Sequence, residues 1–187
     1  QRYIEIRDEL YNYCKKLLPE NEVYIIVKYN WGGTISALWE AHKLLKGKEG
    51  YIAHFEEDFG PKNTDWYESS INILNDDTIY VGESSANKIK TGDDDGRLTG
   101  AMHANTVRLG DPEVWTDGGY YFSTLKNLQL IEDKIGIFHK GNQNEKYSTI
   151  LHGISLGEVG FPTLIHHAGF KFNFLNRNDY FLNEWND

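Results

Sequence analysis

A chain of 187 residues with 40% hydrophobic content fits one globular domain with a sizeable core. Its formal net charge of −9 and pI near 5.2 leave no basic footprint for nucleic acid, and no run of about 18 apolar residues marks a membrane span. The single cysteine, Cys14, excludes an intramolecular disulfide and a cysteine-rich zinc site; it reads as a buried thiol and fits a reducing, cytoplasmic setting.

The first stretch, "QRYIEIRDEL", has no signal-peptide core and no initiating Met, and starts in what reads as mid-helix, as a trimmed or fragmentary chain would. Ile4, Leu10, Tyr11, Cys14 and Leu17 recur at helical spacing and predict a helix over 3–18 that ends at "LLPEN". "VYIIVKY", 23–29, is rich in β-branched residues and predicts a buried strand, followed by the turn "NWGG" and a helix over 34–45. Strands are expected at 51–55 and 78–84, with a helix over 63–74 between them, capped near Asn63 or Thr64. Residues 85–100 are polar and glycine-bearing and read as a long loop. "WTDGG" reads as a turn leading into a helix over 121–130, and "IGIFHKG" as a short strand. A turn and short helix follow over 157–170, and the alternation of "FKFNFL" predicts a strand over 170–175. Strand–helix alternation in the first half argues for a layered α/β domain with a partly parallel sheet.

The predicted strand 51–55 ends in Glu56, Glu57 and Asp58. Three adjacent negative charges at a strand end repel one another unless a cation or polar partner offsets them. In open α/β sheets ligands gather beyond the carboxyl ends of strands, and alternate residues of an extended segment point the same way. Glu56 and Asp58 therefore share a direction in which a hard cation such as Mg²⁺ or Mn²⁺ would bind carboxylate oxygens; a solvated acidic turn has the same sequence. Upstream, Asn30 ends a strand, and Gly32 and Gly33 allow close backbone approach at a helix N-terminus, which attracts phosphate. A simple tight turn reads the same way.

The order N-x-G-x-x-x-x-A, helix, and a "GYI" strand tipped by an acidic triplet, carried by Asn30, Gly32, Ala37, Gly50, Tyr51, Ile52 and residues 56–58, resembles the nucleotide-sugar half of family 2-type glycosyltransferases of the GT-A fold. The resemblance implies a GT-A-like layered αβα domain with a mixed, mostly parallel central sheet. It also implies that the triplet corresponds to the family's D-x-D motif, with Glu56 and Asp58 holding a divalent metal on the donor diphosphate and Asn30, Gly32, Gly33 and Glu57 in the donor pocket. "HGISLGEVGFPTLIHHAGFKF" is similar to the family's later G-E-D segment, which makes Glu158 the first choice for the base on the acceptor hydroxyl, although Val159 stands where the family has its Asp. Asp117 of "WTDGG" is the second choice. That stretch resembles acceptor-side W-G-G loops, so Trp115, Gly118 and Gly119 are expected to line the ligand pocket.

Many GT-A enzymes use a late His as an extra metal ligand, which points to His166 or His167. Adjacent helical residues diverge by about 100°, so only one of them faces a given site. Trp115, Tyr120, Tyr121 and Phe122 are candidates for stacking on sugar rings. The resemblance thus implies a metal-dependent hexosyltransferase, inverting, with UDP-sugar as the donor and a glycan or glycoprotein hydroxyl as the acceptor. A non-catalytic sugar-nucleotide or carbohydrate-binding module is the competing reading, and a metal phosphohydrolase a third.

Overall fold

The computed structural model describes residues 2–25, 33–56, 59–91, 114–135, 162, 165–166 and 168–183. The chain divides into two compact units, Gln1–Asn30 and Trp31–Asp187.

The first unit is the helix α1 (Arg2–Leu17), close to its expected span. Proline cannot continue a helix, and Pro19 follows the last turn. There the Lys15 ammonium donates to the carbonyls of Pro19 and Asn21, both at 2.8 Å, a cationic closure that suits the negative end of the helix dipole. Cys14 is half-buried rather than enclosed. The strand expected over 23–29 is not borne out in its first part: residues 22–25 have no regular structure, and 26–29 lie outside the described residues. A β-rich segment becomes a strand only within a ladder, and residues 22–25 have none among the described residues.

The second unit begins with α2 (Gly33–Leu44), followed by β1 (Tyr51–Phe55), β2 (Phe59–Pro61), α3 (Asp65–Ile73) and β3 (Thr78–Ser84). Two short strands, β4 (Lys90–Thr91) and β5 (Val114–Trp115), pair with each other. Then come β6 (Asp117–Thr124), α4 (Leu125–Ile135), β7 (Lys171–Asn176), the single turn α5 (Arg177–Tyr180) and β8 (Phe181–Asn183). A helical turn also includes 165–166. Gly169, at φ +84°, follows this turn in the left-handed region that glycine enters without strain, and its N–H donates to the His166 carbonyl at 2.9 Å.

The main sheet has the order β1-β6-β3-β7. β6 is antiparallel to both β1 and β3, and β7 is parallel to β3. The fold is therefore α/β with a mixed sheet. β1, β3 and β7 run in one direction, but two of the three ladders are antiparallel because β6 lies between β1 and β3.

β6 corrects two expectations. "WTDGG" is extended rather than a turn, and residues 121–124 are strand; the helix begins only at Leu125. The run Tyr120–Ser123 alternates two aromatic faces against β1, with Phe122 opposite Ala53 and Tyr121 opposite His54. Thr124 then opens the helix, its Oγ1 accepting from the Asn127 N–H at 3.0 Å.

Helices cover both faces of this sheet. On one, Phe55, Tyr120, Phe122 and Val81 meet α3, where Trp66 sets its ring edge-on to Phe55 at 5.1 Å and the Ser70 hydroxyl pairs with the Tyr120 hydroxyl at 2.7 Å. On the other, Leu38 of α2 and Leu128 of α4 close over Ile52, Tyr80 and Tyr121 around a cavity of only about 10 Å³, room for one water at most. Burying a large apolar side chain stabilises by roughly 1.5–3 kcal/mol, so the fully buried Tyr80, Tyr120, Phe122, Leu128 and Ile131 dominate the core.

Gly119 sits where no side chain fits, since a Cβ there would lie 2.5 Å from Cδ2 of the buried Phe59 ring. Gly119→Ala is expected to cost about 1–3 kcal/mol through overpacking, read as a lowered urea midpoint.

Candidate functional site

Strand direction decides which groups meet. The carboxyl ends of β1, β3 and β7 and the amino end of β6 gather at one edge of the sheet. Glu56 leaves β1 at this edge, half-buried, and its N–H donates to the Gly119 carbonyl of β6 at 3.1 Å. The Glu56 carbonyl in turn accepts from the Phe59 N–H at 3.1 Å, so the chain on both sides of residues 57–58 is fixed. β2 is held in place by β8 and by Lys62, whose ammonium donates to the Asn178 carbonyl at 2.7 Å.

The strongest electrostatic feature of this edge is Glu83, near the end of β3. Its side chain is fully buried and takes a two-pronged guanidinium contact: Arg177 Nε donates to Oε2 at 2.8 Å and Nη2 to Oε1 at 2.7 Å. The Gly119 N–H adds a third donor to Oε1 at 3.1 Å. The same guanidinium lies 5.3 Å from the centroid of the Phe59 ring. Charge-assisted bonds of this fork geometry are the ones strong enough to hold a carboxylate out of water. With two guanidinium N–H groups and one amide aimed at it, Glu83 is occupied as an acceptor and serves to position the edge.

This pair is not legible in the sequence. The signal for Glu83 was the one used for Glu56, an acid closing an apolar strand ("TIYVGE"); Arg177 follows β7 directly but lies 94 residues from Glu83 in sequence. The neighbouring tyrosines hold their protons. Burial pushes the Tyr80 hydroxyl well above its ordinary range, and the charge of nearby Glu83 adds to this. Burial likewise raises Tyr120, against the Ser70 hydrogen bond.

Of the residues expected from sequence, Glu56, Asp117, Gly118 and Gly119 come together at this edge. Gly33 opens α2, and Trp115 pairs with Lys90 in the small β4–β5 ladder. His166 is exposed on its helical turn. Asn30, Gly32, Glu57, Asp58, Glu158 and His167 lie outside the described residues, as does the strand expected in "IGIFHKG" beyond Ile135. Tyr120, Tyr121 and Phe122 are core residues, at most 2% exposed, which removes them as platforms for sugar rings. Among the described residues no three His, Cys, Asp or Glu side chains stand close enough to hold a metal, and no helix is long and apolar enough to cross a membrane.

No family model, curated protein sequence or solved structure gives a significant match to this chain.

Arg177→Met leaves the Glu83 carboxylate buried without its counter-charge and is expected to cost about 3–5 kcal/mol in urea unfolding. Adding Glu83→Leu to that variant is expected to recover much of the loss, because the uncompensated charge is gone. A double-mutant cycle reads this as strong coupling between the two positions.

Proposed function

We propose that this protein is a metal-dependent glycosyltransferase of GT-A, family 2-like type, moving a hexosyl group from a UDP-sugar to a hydroxyl of a glycan or glycoprotein in the cytoplasm. The observation that carries the reading is the hydrogen bond from the Glu56 N–H to the Gly119 carbonyl. It ties the head of the acidic triplet to the D-G-G segment at the edge where three strands end, the position at which open α/β sheets bind ligands. The two segments that the family resemblance treats as donor-side and acceptor-side are thus neighbours.

On this reading Glu56 and Asp58, with His167 or His166, hold Mn²⁺ or Mg²⁺, which supplies charge neutralisation for the departing diphosphate. Carboxylate oxygens suit such hard cations. Asn30, Gly32, Gly33 and Glu57 bind the donor, and Trp115, Gly118 and Gly119 shape the pocket beside it. Glu158 or Asp117 takes the proton of the acceptor hydroxyl as its oxygen attacks the anomeric carbon, with inversion. The Glu83–Arg177 pair holds the β6 backbone in register beneath these groups.

The test is to incubate the protein with a panel of UDP-sugars and Mn²⁺ and to follow UDP release and sugar transfer by mass spectrometry. Metal-dependent turnover is expected, and the Glu56→Gln, Asp58→Asn double variant should lose at least about a hundredfold in rate, the scale seen when a charge-stabilising group is removed. Retention of UDP-sugar without turnover would replace the transferase by a binding module. Undiminished transfer by the double variant would remove the metal assignment.

A further inference from the structure

A second concavity lies at the opposite edge of the sheet from Glu56. It has a volume of about 370 Å³ and opens between the end of α2 and the start of α4, beside the point where the Leu125 N–H donates to the Gly50 carbonyl at 2.9 Å. That size falls in the range of small-molecule sites. Its floor is apolar, from Leu45, Leu125 and Leu130. Its rim carries Lys46, Lys48 and Lys126, and none of its described lining residues is a carboxylate.

In a chain of net charge −9, three lysines around one hollow stand against the overall balance. All three are exposed, and none has a side-chain hydrogen bond or ion pair among the described residues. The wall behind them is firmly set. Gln129 Nε2 donates to Asp133 Oδ1 at 2.7 Å, which leaves Gln129 Oε1 to accept from His42 Nε2–H at 3.0 Å, joining α4 to α2 across the back of the hollow. The amino end of α4, with its backbone dipole, adds to the positive potential of the rim.

We propose that this hollow binds a small soluble phosphomonoester with an apolar body, its phosphate among Lys46, Lys48 and Lys126 and its body on Leu45 and Leu130. Apolar contact fixes the body and the ammonium groups fix the charge, a division of labour that neither inorganic phosphate nor a neutral hydrocarbon satisfies. The site is separate from the strand-end site and does not depend on its assignment.

Calorimetric titration of the full chain with phenyl phosphate tests this, with inorganic phosphate and phosphatidic acid vesicles as parallel arms. Phenyl phosphate is expected to bind at least about tenfold more tightly than inorganic phosphate and to weaken as salt rises. The Lys46→Gln, Lys48→Gln, Lys126→Gln variant should lose at least about tenfold in that affinity; these are exposed positions, so its thermal unfolding should match the parent. Leu130→Ser, also at an exposed position, should weaken phenyl phosphate and leave inorganic phosphate unchanged. Equal affinity in the triple variant, no preference for phenyl over inorganic phosphate, or binding to vesicles alone would each overturn the proposal.

Discussion

The buried contact between Glu83 and Arg177 is the constraint on which the site edge depends. A carboxylate excluded from water is tolerable only with its charge matched and its oxygens bonded, and the guanidinium fork with the Gly119 N–H meets both conditions. The donors come from both sides of β3: β6 supplies the amide, and the guanidinium comes from the first residue of α5, directly after β7. An ion pair of this kind adds little stability relative to a well-packed apolar substitute. Its effect is on register, because a slip of either neighbouring strand would strand the charge. From Arg177 the chain continues into β8, which pairs with β2, so the same contact anchors the far side of the acidic triplet.

Around that anchor the two sheet faces differ in chemistry. The α3 face is an aromatic cluster, with Phe55 and Tyr120 in ring contact with each other and each with Trp66 and Phe181, at 4.7 to 6.4 Å, and it holds the buried hydroxyl pair of Ser70 with Tyr120. The face toward α2 and α4 is more polar. His54, Tyr121 and Tyr80 lie ring to ring at about 5.5 Å, and the Ser123 hydroxyl donates to the Ile79 carbonyl at 2.6 Å.

Much of this architecture is legible in sequence, and the failures have physical causes. β1, α3, β3 and β7 follow from local pattern, because alternation and helical spacing reflect burial on one face or two. β6 is not legible locally because "WTDGGYYFST" has turn residues at its start and no polar alternation. A strand enclosed on both faces carries no period-two signal, and Gly119 is present for close packing against Phe59 rather than for a turn. The placement of β6 between β1 and β3 is a long-range choice that no local pattern encodes. Of the candidate site, the acid at the end of β1 was readable because its cost is local. Glu83 and Arg177 were not, since an ion pair across 94 residues leaves no trace in the neighbourhood of either partner.

The position of β6 also bears on how the domain is made. β1 and β3 are complete by Ser84, yet neither pairs with the other, and β6, which both require, begins only at Asp117. As the chain leaves the ribosome, two apolar strands therefore wait with open hydrogen-bonding edges for a segment more than 30 residues further on. Closing such loops is slow compared with forming helices, and open edges recruit other chains. The sheet's assembly is thus gated by the synthesis of its second strand in space, which makes nascent and truncated forms ending before β6 the species most prone to aggregate.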